Sequence, residues 1–301
     1  MTNKTTGKKS LTLEDLRKEL DNFEEMAKYL IPTPRETPKV NGFDIYGKNM
    51  PLNGIVGGDH IIYIDFKKRY DLERRKKEAK NKFIRQNLEK TSKKVAMVIA
   101  DVSGHNITDY LFVSQLHQAT MIGLRYELGI SGEITTDLFE NLNTRFYKSS
   151  SLSKYITMIY GELSENGSFR FISAAHPPPV LFSGKDNKIM HINECCFQNS
   201  QPLGFMPSKE DIDIKTNSNS VGFKDKYFVN EWVLKNPEDI LILYTDGLSE
   251  HDDNYFSKDL ENRLQQSKHL SSEKIYDEIK NDLFKIKKPE DDISYIIIKK
   301  E

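Results

Sequence analysis

Four acidic positions in this chain share one local context. Asp59 follows Gly57-Gly58 and leads into His60-Ile-Ile-Tyr-Ile, and Asp101 ends the run Val95–Ala100. Asp246 ends Ile240–Thr245 ahead of Gly247, and Asp291-Asp292 stand directly before Ile293–Ile298. Short apolar runs with β-branched members read as buried strands, so an acid at the end of one puts a carboxylate where the chain leaves the core. Any single Asp beside a glycine reads first as a turn residue. Four such sites point further. If the strands are neighbours, their ends gather carboxylates that repel one another unless cations sit among them. Oxygen ligands without a cysteine pair or paired histidines suit a hard ion, Mg²⁺ or Mn²⁺, and not zinc.

The elements that must position these acids alternate between strand and helix. Tyr155–Leu163 and Ser168–Ser173 flank Asn166-Gly167, a hairpin signal, and a second hairpin joins Val180–Phe182 to Lys188–Ile192. Helical stretches are expected from Asn106 to about Leu128, with Asn106 and Asp109 able to cap the first turn, and near Thr136–Tyr147, Lys258–Gln266 and Ser272–Ile286. Hairpins with interspersed helices argue for an α+β domain built on antiparallel sheets.

Ahead of these, Leu13, Leu16, Leu20, Phe23, Ala27 and Leu30 recur at steps of three and four, an amphipathic helix opened by a Thr12/Asp15 capping box. At under three heptads it is unstable alone, so it either lies on its own domain or pairs, a homodimer being the sharper expectation. Prolines 32, 34 and 38 end it, dividing residues 1–38 from a domain at 39–301.

Composition narrows the function classes. Of 301 residues, 44 are Lys or Arg and 45 Asp or Glu, a balance that points to neither nucleic acid nor membrane. The two cysteines, Cys195 and Cys196, are adjacent and form no disulfide framework, and neither a leader-like start nor an apolar run of membrane-spanning length occurs. A cytoplasmic setting is expected. One segment departs from the balance: Lys67–Lys94 holds thirteen Lys/Arg against four Asp/Glu, a net of +9 that leaves −10 on the remainder. Such runs are usually solvated faces, and with only Tyr70 and Phe83 as aromatics it is poorly equipped to stack bases.

Gly57-Gly58-Asp59, Ala100-Asp101-Val102-Ser103-Gly104-His105, Ala174-Ala175-His176-Pro177-Pro178, Pro202-Leu203-Gly204, Tyr244-Thr245-Asp246-Gly247-Leu248 and Asp291-Asp292-Ile293-Ser294 occur in an order that resembles the bacterial SpoIIE/RsbU-type metal-dependent protein phosphatases, relatives of the type 2C (PPM) enzymes. The resemblance spans about Leu30 to the C-terminus. It implies an α-β-β-α sandwich of two antiparallel sheets and a pair of Mg²⁺ or Mn²⁺ ions at one edge. Asp101 would bridge both ions, the Val102 carbonyl and Asp59 would complete opposite sides, and Asp246 and Asp291 would hold one ion. His105 would protonate the leaving oxygen or hydrogen-bond at a helix start. His176 reads as structural, and Ser103 has no family-like base to make it a nucleophile.

Departures from the family pattern are Asn106 in place of a glycine, a His60–Asp65 stretch that leaves the role of Asp65 open, and the long basic insertion. The expected activity is hydrolysis of phosphoserine or phosphothreonine on a protein, with an anti-sigma-factor antagonist as the partner-switching substrate. A phosphoprotein-binding pseudophosphatase and a nucleic-acid-binding regulator are the alternatives. Retention of all four acidic positions argues against the first, and the second rests on the basic segment alone.

Overall fold

The run that ends at Asp101 is apolar at every position because both of its faces are covered. In the computed structural model, which describes residues 12–33, 36–52, 54, 56–104, 109–149, 154–191, 197–209, 211 and 222–301, it is strand β3 (Lys94–Val102). Val95, Met97 and Ile99 point into the gap between two stacked sheets. Ala96, Val98, Ala100 and Val102 point outward to a helical layer, the period-two alternation of a strand.

The sheet of β3 also holds β2 (Asp59–Asp65), β4 (Ile156–Ser164), β5 (Ser168–Ala174) and β8 (Asn230–Val233), ordered β2-β3-β4-β5-β8. Facing it are β1 (Phe43–Met50), β6 (Val180–Ser183), β7 (Lys188–Ile189), β9 (Ile240–Tyr244) and β10 (Ile293–Lys300), ordered β1-β10-β9-β6-β7. Every pairing is antiparallel. Ile45, Ile61, Leu241, Leu243, Ile296 and Ile298 meet the inward side chains of β3 between the sheets. Each such side chain contributes roughly 1.5–3 kcal/mol by leaving water.

Helices close both outer faces. On the β3 side lie α1 (Leu13–Lys28), α2 (Phe66–Arg69), α3 (Leu72–Lys77), α4 (Lys82–Thr91), α5 (Tyr110–Ile130) and α6 (Thr136–Ser149). On the β10 side lie α7 (Asp246–His251), a π-helical turn (Tyr255–Asp259), α8 (Leu260–Ser267) and α9 (Ser272–Ile286). The expected α-β-β-α sandwich is the fold. No helix of the described residues is long and apolar enough to cross a membrane.

Three details bear on the site. The capping box of α1 forms, Asp15 N–H donating to Thr12 Oγ1 at 3.1 Å and Thr12 N–H to Asp15 Oδ2 at 3.0 Å, but the stripe behind it divides. Phe23, Ala27, Leu30 and Ile31 join the core of the protein's own domain, whereas Leu13, Leu16 and Leu20 are 80%, 50% and 38% exposed. Tyr110 is the anchor: its ring meets Phe23 edge-on at 5.8 Å and its hydroxyl donates to the Ala27 carbonyl at 2.8 Å. Second, α5 begins at Tyr110 with Asp109 in the cap position and no capping hydrogen bond from its side chain. The expected Asp109 cap fails because the carboxylate is drawn to Lys154 instead. Asn106, His105 and the two cysteines lie outside the described residues. Third, the basic segment is largely helical, with Phe66, Leu72, Ile84 and Leu88 buried beneath it. Some of its charge is answered locally, Lys76 by Glu73 and Glu89 and Arg74 by Glu78.

Candidate active site

Register places Asp59 directly opposite Asp101, at the end of the β2–β3 pair. In the facing sheet β9 and β10 are neighbours; Asp246 opens α7 just after β9, and Asp291-Asp292 directly precede β10. The four acidic positions therefore converge on one edge of the sandwich.

Their electrostatics follow from that convergence. Burial, and then the negative charges of Asp246, Asp291, Asp292 and Glu250, push the Asp101 carboxyl up to about 7. Burial followed by Asp101 and Asp292 holds Asp59 well above the ordinary carboxylate range. Asp246 is raised by burial, Glu250 and Asp291.

Hydrogen bonds lock the frame around these groups. Thr245 Oγ1 donates to Asp59 Oδ2 at 2.7 Å, and Ser294 N–H donates to Thr245 Oγ1 at 3.0 Å, so one hydroxyl ties β2 to the start of β10. Asp292 accepts from Leu52 N–H at 2.6 Å and Gly58 N–H at 2.7 Å, which fixes the Gly57-Gly58 turn. Gly58 has to be glycine: a Cβ there would stand 2.6 Å from the Gly104 carbonyl oxygen and 2.8 Å from that of Val102, with Asp101 Oδ1 at 3.5 Å. Two carbonyls and a carboxylate thus face one small space.

This donor set fits a hard divalent cation in type and charge. It is all oxygen, and burial together with neighbouring carboxylates raises Asp59, Asp101 and Asp246 above the ordinary carboxylate range. Among the described residues no three Asp, Glu, His or Cys side chains are arranged to hold an ion as they stand. Two of the acids explain why, since Asp59 is turned to Thr245 and Asp292 to backbone N–H groups.

Of the residues singled out in the sequence, Asp59, Asp101, Val102, Asp246 and Asp291 come to this edge, and His105 lies outside the described residues. Ser103 Oγ accepts the Tyr155 N–H at 3.2 Å, with no imidazole bonded to it among the described residues. His176 is buried, lies 2.9 Å from Thr157 Oγ1 through Nδ1, and is pushed down to about 3 by burial, which keeps it neutral and structural. Asp65 caps α2, accepting the Lys68 N–H at 3.0 Å. Sequence reading missed Thr245, Glu250 and the anchoring role of Asp292. Thr245 and Asp292 adjoin the singled-out acids, which was the available signal.

A sandwich of two antiparallel sheets between helical layers, with carboxylates along one edge, defines a protein of the PP2C phosphatase fold. The chain belongs to the SpoIIE family: the family model described as Stage II sporulation protein E (SpoIIE) matches residues 91–301. Among solved structures it is similar to the RsbU and RsbW domains of Rv1364c from Mycobacterium tuberculosis, at 20% identity over 88% of this chain with a TM-score of 0.60. It is similar at 17% identity over 85% of this chain, TM-score 0.57, to the PP2C phosphatase domain and regulatory fragment of the cell fate determinant SpoIIE from Bacillus subtilis. The chain spans 62% of the length of each of those two. RsbX in complex with magnesium matches at 15% identity over 87% of this chain and 98% of its own, with a TM-score of 0.51.

Proposed function

We propose that this protein is a metal-dependent protein serine/threonine phosphatase. The observation that carries the reading is the convergence of Asp59, Asp101, Asp246 and Asp291 on one edge, where burial and then its acidic neighbours push Asp101 up to about 7. Mg²⁺ or Mn²⁺ is the ion class that the oxygen donors favour, and the similar RsbX was crystallised with magnesium. Asp101 would bridge two ions, the Val102 carbonyl and Asp59 would complete opposite sides, and Asp246 and Asp291 would hold one of them. Such ions, when bound, supply an acidified water and positive charge against the phosphoryl oxygens.

The chain's own residues do the positioning. Thr245 orients Asp59, Asp292 pins the Gly57-Gly58 turn, and Gly58 leaves room for the Val102 carbonyl. His105 is the candidate proton donor to the leaving oxygen. The substrate is a phosphoserine or phosphothreonine protein, and the SpoIIE/RsbU resemblance makes an anti-sigma-factor antagonist in the cytoplasm the first choice.

Residues 1–38 act as a control segment for the catalytic domain at 39–301. Ile31, just beyond α1, lines with Asp59, His60, Tyr110 and Asp292 a cavity of about 30 Å³ behind the acidic edge. The exposed leading leucines of α1 form the surface on which a second copy would pack.

The test is hydrolysis of a phosphoserine protein by the purified chain, with Mn²⁺ and after chelation. Turnover that stops with chelator and returns with Mn²⁺ or Mg²⁺ is expected. Full turnover by metal-stripped protein would overturn the two-ion reading, and tight phosphoprotein binding without turnover would favour a pseudophosphatase.

A further inference from the structure

Directly after Asp101 and Val102 the chain leaves β3 through Ser103 and Gly104, and a lysine from another element holds that exit. Lys154 precedes β4, whose Ile156 pairs with Val102. Its Nζ donates to the Ser103 carbonyl at 2.5 Å and lies 3.0 Å from Asp109 Oδ1. The lysine side chain is 24% exposed and that of the aspartate 4%. Tyr155 adds a second hold, accepting the Ser103 N–H at 3.1 Å and donating its own N–H to Ser103 Oγ at 3.2 Å.

We propose that Lys154 is a positioning residue for the metal edge: by holding the Ser103 carbonyl away from the acids, it leaves the carbonyls of Val102 and Gly104 facing Gly58 and Asp101. The Ser103 carbonyl belongs to the peptide between those of Val102 and Gly104, so fixing it restrains the peptide planes on either side. Gly104 shows how tightly the clamp closes. At φ +113° it adopts a backbone that favours glycine, and a Cβ there would stand 2.5 Å from both Asp109 Oδ2 and Lys154 Nζ. The Lys154–Asp109 pair is neutral as a unit, so its contribution to the acidic edge is geometry and not counter-charge. The inference rests on the phosphatase reading for what the edge does; the clamp itself is visible without it.

The test compares the full chain with Lys154→Arg, Lys154→Met and Lys154→Met/Asp109→Asn, the last because removing the lysine alone takes an ion-pair partner from a buried carboxylate. Three quantities are measured: amide hydrogen exchange over residues 101–104 in metal-free protein, Mn²⁺ affinity by electron paramagnetic resonance, and kcat and KM on a phosphoserine protein. In the double variant, exchange should quicken at 101–104 while β9 and α9 stay protected. Residues that orient metal ligands typically contribute 10–100-fold, so Mn²⁺ affinity and kcat should each fall by roughly tenfold, with KM within about twofold of the parent. Lys154→Arg, which keeps a donor for Ser103, should recover part of both.

Parental Mn²⁺ affinity and kcat in the double variant would overturn the proposal. So would faster exchange spread evenly over both sheets, the mark of a merely structural pair. If the parent binds no Mn²⁺, the phosphatase reading falls, and exchange at 101–104 in metal-free protein alone decides whether Lys154 holds the turn.

Discussion

Around Glu140 on α6, a carboxylate is answered on every side. Lys224 Nζ reaches its two oxygens at 2.9 and 2.8 Å, the Tyr227 N–H donates at 3.0 Å, and the Ser208 hydroxyl donates as well. The ammonium also lies 3.7 Å over the Tyr227 ring. Asp101 meets the opposite treatment: it is substantially buried, and the strongest charges acting on it are four further acids. One region buries charge to fix the described parts of the segment between β7 and β8 against α6. The other crowds like charges together, which a bound proton or a bound cation must compensate.

The comparison predicts opposite responses to removing a charge. On the two-ion reading proposed above, Asp101→Asn should have the largest effect on function, lowering kcat by about 10³-fold, or about 4 kcal/mol, because Asp101 is the residue proposed to serve both ions. It should leave the metal-free fold as stable as the parent or more so, since one of several repelling acids is gone. Steady-state kinetics and urea unfolding of the same preparation check both halves, and near-normal turnover with bound metal would mean the bridge is misassigned.

Lys224→Met should do the reverse. Stranding Glu140 in a buried site should cost roughly 3–5 kcal/mol of stability, read from urea unfolding, with kcat per folded molecule changed little. Restoring stability by pairing it with Glu140→Leu would sharpen the contrast. A loss of catalysis without a loss of stability would break it.

A smaller effect follows from pH. The folded Asp101 carboxyl sits at about 7 against an ordinary value of 3.8, so the folded state binds its proton more tightly than the unfolded state does. That contribution to stability is fully present below the unfolded value and is lost as pH rises through about 7. Metal-free protein should therefore be less stable at pH 8.5 than at pH 5.5, by up to a few kcal/mol, and saturating Mn²⁺ should shrink or reverse the difference. Denaturation with and without the ion measures it, and Asp101→Asn should flatten the metal-free profile.

What could be read from the sequence was whatever is encoded locally. The apolar runs before Asp101 and Asp246 and after Asp291-Asp292 announce both a strand and a carboxylate at its end within ten residues. The anchoring of Asp292 is not local, because its partners Leu52 and Gly58 lie 240 and 234 residues away. The same reason undid the expected Asp109 cap, whose competitor Lys154 arrives from the far side of α6. Strand β8 is four residues long with Glu231 between Asn230 and Trp232, too short for a periodicity signal. The divided stripe of α1 shows the limit from the other side: spacing identified an apolar face, but only the position of Tyr110 decides that Phe23 and Ala27 are covered while Leu13 and Leu16 are not.

Ala175 offers the smallest and finest test, because it stands between the two kinds of region. It occupies the turn after β5 at φ 53°, a left-handed backbone that costs an L-residue roughly 1–2 kcal/mol. It precedes His176, whose ring reaches Thr157 at 2.9 Å, and Thr157 is the register partner of Asp101 on β4. Ala175→Gly removes the strain and in return gives the unfolded chain more freedom, so the net gain should be about 0.5 kcal/mol. If the turn merely tolerates its strain, as a structural element does, stability rises by that amount and kcat stays within about twofold of the parent. If the strain presses His176 onto Thr157 and through it steadies Asp101, the same substitution raises stability and lowers Mn²⁺ affinity. The neutral, fully buried imidazole and its distance of one strand from the acids favour the first result. A measured loss of Mn²⁺ affinity would move His176 from the scaffold into the frame that orients the acidic edge.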